Sequence, residues 1–249
     1  MRFFIVQVLV GFSFFCRGQM LPLAYAPEHT SAVIDLQCVF APEPFHTQQP
    51  TDSLYAWLRW KTIANYAFGK NRGDLPMIAD LSALHPYFRD QVLQLIVNCR
   101  SKGIELAVVE TFRTHAKQNE YKSLGKKYTR STGGRSKHQY GLAVDVVPMK
   151  DSVVVWDNKV LWKKIGLEGE KLGLTWGGRW RSLYDPGHFE WTGGLGTRSL
   201  ALGVFPLPPQ PKLYPTLPRD LRYLQTCWQA WEAEQGTKAS TRAALTGLN

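Results

Sequence analysis

Between Leu142 and Val147 the chain reads LAVDVV, an apolar run interrupted once, by the acid Asp145. A short apolar run of this length, bounded by turn residues, reads as a strand with at least one face in a core. A carboxylate left unpaired in such a strand is expensive to bury. The fold must therefore bring a cation to Asp145 or let the strand end in water. Either way, one position in one strand dictates what distant residues must do.

The chain has 249 residues, 44% of them apolar, enough for one substantial domain with a real core and too many for general disorder. Thirty Lys and Arg against twenty Asp and Glu give a formal charge of +10. That balance favours polyanionic surroundings: nucleic acid, anionic lipid or a charged cell-wall polymer. The first residues choose among them. MRFFIVQVLVGFSFFC places Arg2 before a mostly apolar stretch that is shorter than the roughly twenty residues of a membrane span. Ala24-Tyr25-Ala26 then offers an A-x-A cleavage site. Residues 1–26 are read as a secretory signal, or as an uncleaved N-terminal anchor. Transient membrane contact is expected through this segment alone. Export to the periplasm or cell envelope argues against nucleic acid as the partner. Cleavage would leave Cys38, Cys99 and Cys227, an odd set without C-x-x-C spacing, so one internal disulfide at most and no cysteine zinc cluster. Cys99 falls on an apolar helical stripe, the ordinary place for a buried thiol.

Residues 27–50 are Pro-rich and read as an extended arm. Asp52 or Ser53 can cap a helix reaching Ala67, with Trp57, Trp60 and Ala64 on one face. FGKNRGDLP is a loop. Pro86 suits the first position of a helix, and Phe88, Val92, Leu95, Ile96 and Cys99 follow at helical spacing. Ile104 to Phe112 is a strand, Thr114 caps a helix that closes at Gly125, and 126–137 is a basic loop. Residues 158–172 are helical, with Leu161, Trp162, Ile165, Leu167 and Leu172 as apolar positions. TWGGRWRSLYDPG is a long loop and HFEW a short strand. The expected fold is α+β, a small antiparallel sheet flanked by helices, over a domain of residues 51–200. Residues 201–218 read as a semi-rigid linker. Residues 219–249 read as an amphipathic helix that docks on the domain or a partner, followed by a loose tail from Gln235.

Of six histidines, His29, His46 and His85 are expected at the surface, the last because it precedes Pro86 at a helix start. His138 and His188 differ, since each stands at the mouth of a strand beside a carboxylate. Two imidazoles and Asp145 make a three-ligand zinc set with a fourth position open, the pattern of catalytic zinc. Taken singly, each has a bland reading as well. A histidine near a strand is ordinarily a hydrogen-bonded structural residue, and a strand aspartate often caps a turn.

The flanking residues sharpen the choice. Ser136-x-His138-x-x-Gly141-x-Ala143-x-Asp145 resembles the signature of the zinc D-alanyl-D-alanine carboxypeptidase family, which includes VanY-type carboxypeptidases and the L-alanyl-D-glutamate endopeptidases of phage endolysins. Leu172 to Trp191 resembles the endolysin-like branch in its W-G-G turn and D-x-x-H-F-E ending. Glu110 to Gly125 resembles the family's Y-R-S-x-x-x-Q block. The resemblance implies a hedgehog/D-Ala-D-Ala-peptidase-like domain holding one Zn2+ on His138, Asp145 and His188. It implies Asp185 as general base and Arg113 as the charge facing the developing oxyanion. Ser136 and Gln118 match positions that contact substrate or support the ligands. Glu190, two residues from His188, is either an acceptor for its imidazole or a solvated acid. Trp176, Trp180 and Tyr184 either line the cleft or pack in the core. Gly141 and Ala143 are expected to keep bulk away from the metal.

Three departures from the family pattern stand out: Phe112 in a tyrosine place, Thr114 in a serine place, and Arg179 where an acid is frequent. All three are expected near the substrate. The implied activity is hydrolysis of peptidoglycan or muropeptide stems, as an L-alanyl-D-glutamate endopeptidase before a D-alanyl-D-alanine carboxypeptidase. The rival is a non-catalytic zinc-containing wall-binding module.

Overall fold

The structure is a computed structural model that describes residues 60–129 and 131–246, all within one compact unit, Gln48–Asn249. The N-terminal segment, the Pro-rich arm, Cys38 and the start of the first expected helix lie outside the described residues. No helix among the described residues is long and apolar enough to cross a membrane.

The acid-interrupted strand is the centre of an antiparallel sheet. β4 (Ala143–Lys150) has β3 (Glu105–Glu110) on one side and β7 (His188–Glu190) on the other, and β6 (Thr175–Trp176) extends the sheet beyond β7. β5 (Val153–Val154) turns back onto the end of β4. A separate two-stranded ribbon joins β1 (Thr62–Ile63) to β2 (Met77–Ile78). Helix α1 (Pro86–Arg100) starts on its proline and buries Phe88, Val92, Leu95 and Cys99. Helix α3 (Lys159–Lys171) is capped by the Asn158 side chain, which accepts from the Leu161 N–H. It packs against α1 and buries Trp162 and Ile165 with them. A shorter helix, α2 (His115–Ser123), is capped by Thr114 as its sequence demands. The α+β class with a small antiparallel sheet is thus what the chain adopts.

A second apolar cluster lies apart from this core. Trp60, Ile78, Ala83 and Phe112 meet Leu224, Cys227, Trp228 and Trp231 from α5 (Leu217–Thr246), which follows the short α4 (Thr197–Ala201). Full burial of each large side chain contributes roughly 1.5–3 kcal/mol, so α5 is held on this face by several such contacts.

Four local expectations change. The helix expected to reach Ala67 is not helical in its described part. Thr62 and Ile63 pair with β2 and a turn follows, while Trp60 packs on Phe112 at 6.5 Å. No loose tail begins at Gln235, because α5 continues to Thr246. Leu167 is 37% exposed, and the buried position beside it is Glu168. His85 is not at the surface. It is fully buried, its ring 5.4 Å from Trp191. Cys99 and Cys227 are both buried, and burial pushes the Cys99 thiol up to about 11.

Candidate metal centre

Strand register assembles the centre. Glu110 of β3 pairs with Asp145 of β4, and Asp145 pairs with His188 of β7. Three polar side chains therefore form one row across three strands whose neighbours are Val108, Val144, Val146 and Phe189. A bulge between Val108 and Glu110 sets the register on the β3 side. The third donor arrives on the turn Lys137–Tyr140, which Gly141 closes at φ 62°.

His138, Asp145 and His188 bring one donor atom each to a common centre. His138 Nε2 is 3.3 Å from His188 Nδ1, His188 Nδ1 is 3.0 Å from Asp145 Oδ1, and His138 Nε2 is 3.4 Å from Asp145 Oδ1. Ligands about 2.0–2.1 Å from a tetrahedral zinc stand roughly 3.3–3.4 Å apart, so the triangle has the right size. The tautomers are right as well. His138 Nδ1 lies 2.8 Å from the Thr111 carbonyl, which can only accept, so Nδ1 carries the proton and Nε2 keeps its lone pair. His188 Nε2 donates to Glu190 Oε2 at 3.2 Å, which turns Nδ1 toward the centre beside Asp145. Besides the two histidines, the carboxylates of Glu110, Asp145 and Glu190 around the triangle pair with Arg113 and Lys137 alone among the described residues. That excess of acid favours a cation at the centre. Burial opposes it, yet the bonds to Asp145 and Glu190 lift His188 to about 10. Despite burial, the two histidines hold the Asp145 carboxyl well below its usual range. The residues fit a divalent ion such as zinc.

Asp145 also has a protein cation. Arg113 Nη2 lies 3.4 Å from Asp145 Oδ2 and bonds Glu110 Oε2. Its Nη1 donates to Gln118 Oε1 at 3.1 Å, and its guanidinium lies over the Tyr121 ring at 4.7 Å. Gln118 is held in turn by Thr129 and the Ser131 carbonyl. Arg113 is thus buried, its Nη groups occupied by Glu110, Asp145 and Gln118, while its Nε has no partner among the described residues. Its charge reaches the centre through Asp145. Glu110, fully buried, was not singled out from sequence. A related signal, an acid at the end of an apolar strand, is present in IELAVVE.

Asp185 stands on the loop before β7. Its carboxylate makes no hydrogen bond among the described residues, and burial, followed by the charge of Asp145, pushes its carboxyl above the ordinary range. The backbone that places it is tied to the W-G-G turn, where the Asp185 N–H donates to the Gly177 carbonyl at 3.2 Å. A Cβ on Gly177 would stand 2.5 Å from the Asp185 carbonyl and 3.1 Å from His188 Cβ. This position has room only for glycine. Trp176 belongs to the core, not to the cleft: it is 5% exposed and donates from Nε1 to the Pro186 carbonyl. Trp180 lies 5.0 Å from the His188 ring, and Tyr184 is 52% exposed. Ser136 is buried at the start of the His138 turn, where its N–H donates to Gln139 Oε1.

The departures from the family pattern find another explanation. Along Thr111–Thr114, alternate residues face opposite ways. The Thr111 carbonyl and Arg113 face the centre, and the Arg113 N–H also donates to the His138 carbonyl. Phe112 and Thr114 face α5 instead. Phe112 stacks on Trp228 at 5.4 Å and 4°, and the Thr114 hydroxyl donates to Gln235 Oε1. Neither is free to line a substrate cleft. Arg179, for its part, is exposed and pairs with Glu170. Trp228 also donates to the Ala83 carbonyl, and a Cβ on Gly141 would stand 2.6 Å from its ring. Gly141 therefore makes room for a turn and for α5 rather than for the metal. Helix α5 forms the back wall of the segments that carry Arg113 and His138, a role invisible in its sequence.

A family model described as D-alanyl-D-alanine carboxypeptidase matches residues 129–191, which hold all three donors and Asp185. Peptidoglycan L-alanyl-D-glutamate endopeptidase CwlK of Bacillus subtilis (strain 168) is 31% identical over 131 residues, covering 47% of this chain and 77% of the relative. The L-alanyl-D-glutamate peptidase of Listeria phage A118 is 30% identical over 130 residues, 51% of this chain and 45% of the relative. Among solved structures, the Serratia marcescens L-Ala D-Glu endopeptidase ChiX is 29% identical, covers 45% of this chain and 83% of that one, and has a TM-score of 0.39. On the shared motif and the extent of the match to CwlK, the chain belongs to the D-alanyl-D-alanine carboxypeptidase family of peptidases.

Proposed function

We propose that the chain is a zinc metallopeptidase that cuts peptide stems of peptidoglycan, at the L-alanyl-D-glutamate bond in preference to the D-alanyl-D-alanine bond. The observation that carries this reading is the donor triangle of His138, Asp145 and His188 with the unpartnered carboxylate of Asp185 beside it. The choice of bond is supported by the names of CwlK and the phage peptidase.

Bound at the triangle, zinc would supply Lewis acidity toward the scissile carbonyl and a lowered pKa for attacking water. Asp185 takes the proton from that water and hands it to the departing amine. Arg113 opposes the negative charge growing on the carbonyl oxygen, through its field rather than by direct contact. Thr111 and Glu190 hold the imidazoles in the required tautomers. Peptidoglycan lies outside the cytoplasmic membrane, so we place the action in the envelope. There the net charge of +10 keeps the protein close to anionic polymers.

The test is incubation of the zinc-loaded protein with purified muropeptides and identification of the fragments by mass spectrometry. Release of stems lacking L-alanine is the expected result. Free D-alanine without stem release would reassign the bond, and no cleavage would leave a wall-binding module.

A further inference from the structure

The loop between β1 and β2 carries a feature that the metal centre does not use. Lys117 of α2 is 1% exposed, and its ammonium shares its three N–H groups among the Arg72 and Leu75 carbonyls, Asn65 Oδ1 and Glu120 Oε2. Glu120 in turn accepts from the Asp74 and Leu75 N–H groups. A Cβ on Gly73, at φ 86°, would stand 2.4 Å from that carboxylate. The loop is thus wrapped on a buried ion pair and held in one shape.

What it holds out is a pair of cations. Lys70 Nζ lies 3.5 Å over the Trp156 ring, and the Arg72 guanidinium lies 5.7 Å from the same ring. Trp156 is fixed by its bond to the Phe68 carbonyl and packs 6.2 Å from Trp162, whose ring edge stands 3.7 Å from a Cβ placed on Gly187. Gly187 adjoins the donor His188. Neither Lys70 nor Arg72 pairs with a carboxylate among the described residues, and Arg72 Nε is buried without an acceptor. Burial, then the charge of Arg72, lowers Lys70, while Asp185 and Asp157 act on it in the opposite direction. Two like charges on a stiff loop, neither in an ion pair among the described residues, are arranged for an anion.

We infer that Lys70 and Arg72 form a carboxylate-binding subsite beside the metal centre, which takes the free carboxylate of the D-glutamyl residue in the stem. The inference rests on the endopeptidase reading above. Glutamate has two carboxyl groups and only one can continue the stem, so the other remains charged a few bonds from the scissile amide. Arg72 meets it through its Nη groups, and Lys70 adds a point charge.

The experiment compares two synthetic stem peptides, L-alanyl-γ-D-glutamyl-L-lysine with the glutamate α-carboxyl free or amidated, as substrates of the zinc-loaded full chain. Wild type is expected to favour the free acid by about 10–100-fold in kcat/KM, mostly through KM, as suits a charge-assisted pair. Arg72→Gln and Lys70→Gln should each shrink that ratio, with partial recovery in Arg72→Lys. Lys70 is exposed, so its variant keeps the test valid should Arg72→Gln fold poorly. Calorimetric titration with the product peptide γ-D-glutamyl-L-lysine and its α-amide gives the same comparison without turnover. Equal rates on the two peptides, or a ratio untouched by both variants, would overturn the subsite and leave the peptidase standing. Cleavage of neither peptide by wild type would remove the endopeptidase reading and the inference with it.

Discussion

Trp228 of α5 is the place to ask whether the C-terminal helix belongs to the metal centre. The side chain is 5% exposed, stacks on Phe112, and donates to the Ala83 carbonyl at 3.0 Å. Truncating a buried aromatic to alanine costs about 3–5 kcal/mol, and a buried carbonyl left without its donor adds about 1 kcal/mol. Trp228→Ala should therefore cost about 4–6 kcal/mol, a large part of the roughly 5–15 kcal/mol that a domain has. Trp228→Phe keeps most of the apolar volume and loses the N–H bond, for about 1–2 kcal/mol. The loss does not stay on the helix, because Phe112 and Gly141 flank Arg113 and His138. Zinc affinity of the folded Trp228→Ala protein should drop about tenfold or more, as when a group supporting a ligand is removed. Urea unfolding of zinc-free protein gives the first quantity, and competition with a chromogenic chelator at low temperature gives the second. A stability loss under about 1 kcal/mol would refute the packing argument. A full loss with wild-type zinc affinity would show that α5 supports the fold and not the centre.

Three further outcomes are expected. Glu190→Gln weakens the acceptor that orients His188 and should lower zinc affinity about 10–100-fold, measured by the same competition. Asp185→Asn should abolish turnover while zinc content stays at one per chain, and retained turnover would point to another base. His85, buried and lowered from 6.5 to about 4 by loss of hydration, binds its proton less well folded than unfolded. Its contribution is fully present above pH 6.5 and is lost as pH falls toward 4, by about 3 kcal/mol in all. Unfolding of His85→Leu should depend less on pH than wild type across that window, and parallel curves would show that His85 keeps a proton partner.

Much of this architecture can be read from local pattern, and the exceptions share a cause. Helix α1 and strand β4 follow from their own residues: a proline at a helix start, a 3.6-residue stripe, an apolar run. The donor set follows from asking what Asp145 needs. Features set by contacts between distant segments are less legible. His85 looked exposed because it precedes Pro86, and Trp191 covers it from more than a hundred positions away. The stretch before Ala67 had a helical stripe, but Trp60 finds Phe112 and Thr62 finds Ile78. The residues after Gln235 looked loose because they lack an apolar face. They are rich in helix formers, and Gln235 itself is buried by Thr114 and the Pro76 carbonyl. Phe112 and Thr114 looked like specificity changes because only the fold shows that they face α5.

The central claim is that two imidazole nitrogens and one carboxylate oxygen hold a single divalent ion. X-ray absorption at the zinc edge of the purified protein, with its metal content, tests that most directly. The expected result is one zinc per chain, nearest-neighbour scattering from nitrogen and oxygen alone at about 2.0–2.2 Å, and loss of the metal in His138→Ala, Asp145→Ala and His188→Ala proteins that remain folded. A sulfur shell near about 2.3 Å, or full zinc occupancy in any of those variants, would contradict it.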